Sequence, residues 1–295
     1  MRSKRAVSTR MLAFTLMTIS SVALPAAAQA QATVTALLQA THIHGLAIDR
    51  SDSSRLLIAT HHGLYAARSD GRVQQVSERR DDFMGFSEHP ADPTVFIASG
   101  HPASGGNLGV ILSENGGRKW IELSQGANGP VDFHQLTISA ADPSVIYGVF
   151  RGVQRSDDRG KTWRIVGPAP HGVISLAAST QNSDTLYAGT ERGLLVSANG
   201  GISWSPGYPV AAPVTLLKVT PDGVLYAYIV GRGLFYVSEA KFSDWRKAGP
   251  ELDDDAILHL AIDFAQSARL FAATARGRLL TSDDSGANWK PFGMN

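Results

Sequence analysis

The chain has 295 residues, no cysteine, 27 Lys+Arg against 26 Asp+Glu and 43% hydrophobic side chains. So even a charge balance excludes a dedicated nucleic-acid binder, the apolar share excludes a disordered chain, and the missing thiols exclude disulfides, thiolate metal sites and a cysteine nucleophile. Glycine is unusually frequent at 29 residues while charged residues make up only 18%, which points to turn-rich β structure. The chain opens on Arg2, Lys4, Arg5 and Arg10 with no acidic residue, then an apolar run from Met11 to Leu24, then the small-residue stretch Pro25 to Ala32. A basic start, a short apolar run and an A-x-A site are the pattern of a secretory signal peptide over residues 1–32, with cleavage after Ala30 or Ala32. The expected mature protein, residues 33–295, is therefore periplasmic or secreted, with no stable membrane span. Without the leader, 23 basic residues face 26 acidic ones, a mildly acidic body of −3.

The body is periodic. Inner strands are predicted to start at His44, Met84, His134, Ile174, Thr215 and Leu258, each followed by a second strand such as Leu56–Thr60 and a Gly-led third strand such as Gly193–Val196. Tryptophans at 120, 163, 204, 245 and 289 are spaced 43, 41, 41 and 44 residues apart. Four of them close the pattern Ser-x-Asp/Asn-x-Gly-x-x-Trp, beginning at Ser113, Ser156, Ser197 and Ser282. Ser238 to Trp245 is a degraded copy and Ser69 to Val73 a worn one. Such a box suits a hairpin clip: Ser and Asp or Asn bond the backbone of a tight turn, Gly supplies the positive φ, and Trp buries a large area. Four short strands per repeat and six repeats of about 44 residues predict a single all-β domain, a six-bladed β-propeller. Val34–Leu38 is expected to add a strand to the last blade.

The boxes resemble the Asp-box, or BNR, repeat of sialidase-like and sortilin-like propellers, and the resemblance covers nearly all of the body. A further resemblance is to exported bacterial propellers labelled glycosyl hydrolase. It rests on His42, His44 and Gly45, on His61, His62 and Gly63, and on Asp132, Phe133 and His134. In a propeller the first strands line the central channel, and their starts share one face with the loops between second and third strands. That geometry, implied by the resemblance, gathers His42, His44, His61, His62, His101, His134 and His171 at one mouth. His89 falls on the other face, and alternation points His259 away from the channel.

The channel-facing position reads His44, Met84, His134, Ile174, Thr215 and Leu258 across the blades. Two residues upstream stand His42, Asp82, Asp132, Gly172, Pro213 and Ala256. Donors thus concentrate in blades one to three. The candidate metal ligands are His42, His44, His61, His62, Met84, His101 and His134. Imidazole with thioether suits copper, and imidazole with carboxylate suits zinc or copper(II). Blade two is the longest, and its excess lies in the glycine-rich loop His101–Leu108 above this sector. His62, Arg151, Arg192, Arg232 and Arg276 precede the third-strand glycines, a collar suited to a carboxylated sugar or simply a set of solvated arginines.

Three functions are consistent with these residues. The first is an exported binding propeller holding a copper or zinc ion, or another small ligand, at the channel mouth, with protein partners on its broad faces. The second is a sialidase-like glycosidase, with Asp82 and Asp132 as the carboxylate pair and Arg151, Arg192, Arg232 and Arg276 as substrate arginines. The sialidase Arg-Ile-Pro motif is absent, with His42-Ile43-His44 in its place, and no Tyr–Glu pair stands out. The third is a metal-free assembly scaffold like the propellers that help build photosystem II. No nucleotide cofactor is expected in any of the three.

Overall fold

The computed structural model describes residues 32–208, 211–263 and 265–294. The chain divides into residues 1–30 and residues 31–295, and the expected signal peptide lies outside the described residues. The described residues form six four-stranded antiparallel sheets, each built from consecutive strands in simple up-and-down order. These are the six predicted blades. Their inner strands are Ile43–Ile48, Asp82–Glu88, Gln135–Ile138, Val173–Ala178, Val214–Val219 and Ile257–Ile262. Among the described residues, no helix is long and apolar enough to cross a membrane.

Each blade buries its apolar residues against the next blade, so the core is a ring of clusters. One cluster joins Leu46 and Ile58 of blade one to Ala261 and Phe271 of blade six, which closes the ring. The chain before blade one is a helix, Val34–Ala40, and not an added strand. The Thr33 hydroxyl caps it by accepting from the Ala36 amide, and Val34 packs beside Phe292 of blade six. Blade six already has its own fourth strand, Lys290–Pro291, and the helix wedges the seam from outside the sheet.

The four well-kept boxes share one bonding pattern. The serine hydroxyl accepts the amide of the box glycine at 3.0 Å in Ser113–Gly117 and 2.8 Å in Ser156–Gly160, with the same bond from Ser197 and Ser282. The Asp or Asn oxygen caps the amide of the residue before the tryptophan, as Asp158 does for Thr162 at 2.8 Å. The turn also reaches the preceding blade. The Ser124 hydroxyl of blade two donates to the Gly160 carbonyl, and the Trp163 indole donates to the Ser124 oxygen. The boxes are therefore both hairpin clips and seams between blades, on the face opposite the inner-strand starts.

Inner strands do not run in plain alternation. In blades one, four, five and six the pairing to the second strand slips by one residue, leaving His44, Ile174, Thr215 and Leu258 as the extra residue. Blade three shows no slip. In blade two the slip lies between Met84 and Ser87. Met84 pairs with Ser99 as Ile43 pairs with Thr60, so Gly85, not Met84, is the counterpart of His44. Gly85 adopts φ +56° and lines the channel, while Met84 is buried and is absent from the channel wall.

Candidate metal centre at the channel mouth

The central cavity, about 190 Å³, is lined by all six inner strands, including His44, His134, Gln135, Ser175 and His259. His259 thus belongs to the channel, contrary to strict alternation, because the extra residue Leu258 resets the register just before it. Farther in, Lys218 Nζ of blade five meets Glu88 Oε1 of the opposing blade two at 2.7 Å, an ion pair spanning the channel.

At the mouth, the donors of blades one to three resolve into two separate trios. The first is His44, His61 and Asp82. His44 Nε2 lies 3.2 Å from His61 Nδ1 and 3.4 Å from Asp82 Oδ1, and His61 Nδ1 lies 2.8 Å from Asp82 Oδ2. His44 comes from the extra residue of the inner strand, His61 from the end of the second strand of the same blade, and Asp82 from the first residue of the next blade's inner strand. The second trio is His101, Asp132 and His134, with His101 Nε2 and His134 Nε2 at 3.1 and 2.8 Å from Asp132 Oδ2. Asp132 and His134 precede the inner strand of blade three, and His101 ends the second strand of blade two.

The electrostatics of the trios differ. His44 is held neutral, its pKa pulled down to about 3 by desolvation and then by the neighbouring imidazoles of His61, His259, His134 and His42. His134 is shifted the other way, upward, by its hydrogen bond to the Asp132 carboxylate. In both trios one carboxylate oxygen, Asp82 Oδ1 or Asp132 Oδ1, is buried without a hydrogen-bond partner. Buried carboxylate oxygens are normally satisfied, so these two atoms stand out as open acceptors beside imidazoles.

The donor spacing fits an ion. Zinc bonds of 2.0–2.1 Å in tetrahedral geometry place neighbouring ligand atoms about 3.3 Å apart. His44 Nε2 lies 3.2 Å from His61 Nδ1 and 3.4 Å from Asp82 Oδ1, two spacings that bracket that value, while His61 Nδ1 meets the other carboxylate oxygen. Two imidazoles and one carboxylate leave a fourth position for water or an exogenous ligand.

Other sequence candidates sit apart from the trios. His42 and His62 are exposed, their rings 5.4 and 6.4 Å from that of His61. His171 is exposed outside both groups. Arg151, Arg192, Arg232 and Arg276 are exposed on the hairpins between second and third strands and do not line the cavity. Arg151 lies over the Phe150 ring, and Arg276 lies 4.0 Å from Asp254. The Glu88–Lys218 pair was not anticipated from sequence; no spacing rule links residues 130 apart.

Comparison with known proteins agrees on the fold. No protein-family model matches the chain. A protein of Neosartorya fischeri named as an oligoxyloglucan-reducing end-specific xyloglucanase is 26% identical over 192 residues, covering 55% of this chain and 24% of that protein. Among solved structures, the GH74 xyloglucanase from Xanthomonas campestris superposes with TM-score 0.57 at 20% identity, over 85% of this chain and 45% of its own. YCF48 bound to D1 peptide gives TM-score 0.52 at 16% identity, over 85% of this chain and 82% of its own. The chain spans less than half the length of these xyloglucanases but most of the length of YCF48. The chain is a β-propeller related in fold to glycoside hydrolases of the GH74 type and to YCF48.

Proposed function

We propose that the protein is an exported propeller that holds a divalent zinc or copper(II) ion at the mouth of its channel, through His44, His61 and Asp82. The observation that carries this reading is the trio itself. Two imidazole nitrogens 3.2 Å apart in blade one meet the carboxylate of Asp82 in blade two, each at a different oxygen, and one of those oxygens is buried without a hydrogen bond. Two nitrogens and a hard oxygen favour zinc(II) and copper(II) over copper(I). Export is the natural partner of this reading, because the chain's ligand types, free of thiols, suit an oxidising compartment. Membership of the BNR or sialidase-like superfamily, which the boxes resemble, fits the same fold.

The test is calorimetric titration of the purified protein with zinc(II) and copper(II), alongside elemental analysis of the protein as isolated. His44→Ala and Asp82→Asn are expected to weaken the tightest ion at least tenfold, with circular dichroism showing an unchanged fold. Unchanged isotherms in both variants would sink the reading.

The xyloglucanase relatives support a second reading, a glycosidase in which Asp82 and Asp132 supply the carboxylates. Each of those carboxylates is held by two imidazoles, and all five tryptophans sit in the hairpins of the opposite face, leaving the mouth without a tryptophan platform for sugar. A panel of xyloglucan oligosaccharides and aryl glycosides decides it: turnover lost in Asp132→Asn favours the glycosidase, and no turnover in the wild type excludes it.

A further inference from the structure

We propose that His101, Asp132 and His134 form a second cation site beside the first, so that the mouth binds two ions of the zinc or copper(II) class. The ion class rests on the reading of the first trio; the existence of a second site rests on its own geometry.

His101 is set up as a ligand. Its Nδ1 lies 2.8 Å from the Gly106 carbonyl oxygen, which only accepts, so Nδ1 carries the hydrogen. In the neutral ring the Nε2 lone pair then faces Asp132 Oδ2 at 3.1 Å. That contact is favourable when a cation, a proton or a metal ion, sits between the nitrogen and the oxygen. A carbonyl that fixes the far nitrogen is the usual support of a metal-binding histidine. The loop that supplies Gly106 is anchored, with the Asn107 amide donating to the Pro130 carbonyl and the Ala103 amide to Asp81.

Asp132 is the second independent observation. Its side chain is only 9% exposed, its Oδ2 meets both imidazoles, and its Oδ1 is buried without a partner. Most buried aspartate oxygens are hydrogen-bonded.

The two sites adjoin through blade two. Asp82 of the first trio and His101 of the second are direct cross-strand partners. Opposite residues of antiparallel strands carry their Cβ atoms about 4.5–5.5 Å apart on one face. Two dications that close repel, so the second ion binds more weakly than the first. Exposure ranks the sites the same way. The imidazoles of the second trio are 42% and 53% exposed, those of the first 14% and 40%, so the difference lies in His44. The second site is therefore the weaker, faster-exchanging one, suited to taking up or handing on an ion.

The experiment is titration of the purified full protein with zinc(II) chloride, followed by withdrawal with a chromogenic chelator. The wild type is expected to take two equivalents, one at least tenfold weaker and released faster. His134→Ala should leave only the tight ion, His44→Ala only the weak one, and the double variant neither. His101→Gln, at the partly exposed end of its strand, repeats the His134→Ala result should that variant fold poorly. A wild-type capacity of one ion that His134→Ala does not change overturns the second site and leaves the first standing. Loss of all binding in each single variant shows one shared centre and also overturns it. Two ions unaffected by any variant are adventitious and sink both readings.

Discussion

At Gly85 the lack of a side chain lets the backbone of blade two approach that of blade three. A Cβ there would lie 2.3 Å from the Phe133 carbonyl oxygen, and the backbone stands at φ +56°, where side chains are strained. Gly85→Ala should therefore destabilise by about 2–4 kcal/mol, lowering Tm by roughly 5–10 °C in a thermal melt. Phe133 is flanked by Asp132 and His134, so the same substitution should lower affinity at the second trio. A Tm within one or two degrees of wild type would contradict the close approach. Gly85 also explains what was hidden in the sequence. Met84-Gly85-Phe86 looks aligned with His44-Gly45-Leu46, and only the slip in pairing shows that Phe86 is the counterpart of Gly45. The donor residues were legible because His44 and His134 recur at one strand position, and His42, Asp82 and Asp132 recur two residues upstream of it. Their partition into two trios was not, because it depends on the cross-strand pairing of Asp82 with His101 and on the bond from His101 to Gly106.

Among the elements, the box turn joins neighbouring blades. Ser156→Ala would leave the buried Gly160 amide without its acceptor at 2.8 Å. An unsatisfied buried donor costs about 1–3 kcal/mol, so a Tm loss of roughly 2–8 °C is expected, with the central cavity and its trios undisturbed. If zinc binding fell along with Tm, the box would be coupled to the mouth, contrary to its place on the far face. The blades were legible because this box repeats in sequence at near-constant spacing. Blade five shows the limit. Its degraded copy folds as a short 3-10 turn, Glu239–Lys241, and Glu239 takes over the seam by accepting from the Thr180 and Tyr187 hydroxyls of blade four at 2.6 and 2.8 Å. The function of the seam persists where the motif does not. The helix Val34–Ala40 was equally hidden, since seven residues carry too little periodicity to outweigh an apolar strand-like run.

For the molecule as a whole, the decisive seam is where blade six meets blade one. Adjacent inner strands are tied by side-chain bonds: Ser87 to the Leu136 carbonyl, Gln135 to the Ile174 carbonyl, Ser175 to the Leu217 amide, and Thr215 to the Ile257 carbonyl. Between blades six and one the tie is His259, hydrogen-bonded to the backbone of Ile43. Desolvation pulls the His259 pKa down to about 4 against 6.5 for the free side chain. The unfolded chain therefore binds a proton there that the folded ring refuses, between pH 6.5 and 4. The stability is complete above pH 6.5 and drains away as pH falls toward 4, by about 1–3 kcal/mol from this group. His44, depressed by the same cause, adds to the slope in the same direction. Replacing His259 with glutamine keeps a donor for Ile43 and removes the titration. His259→Gln should thus match wild type near pH 8 and exceed it at pH 5 in urea unfolding, with a residual slope to which His44 and His89 contribute in one direction and His134 in the other. A variant that lost as much stability as wild type between pH 8 and 5 would show that the seam does not sense protons through His259.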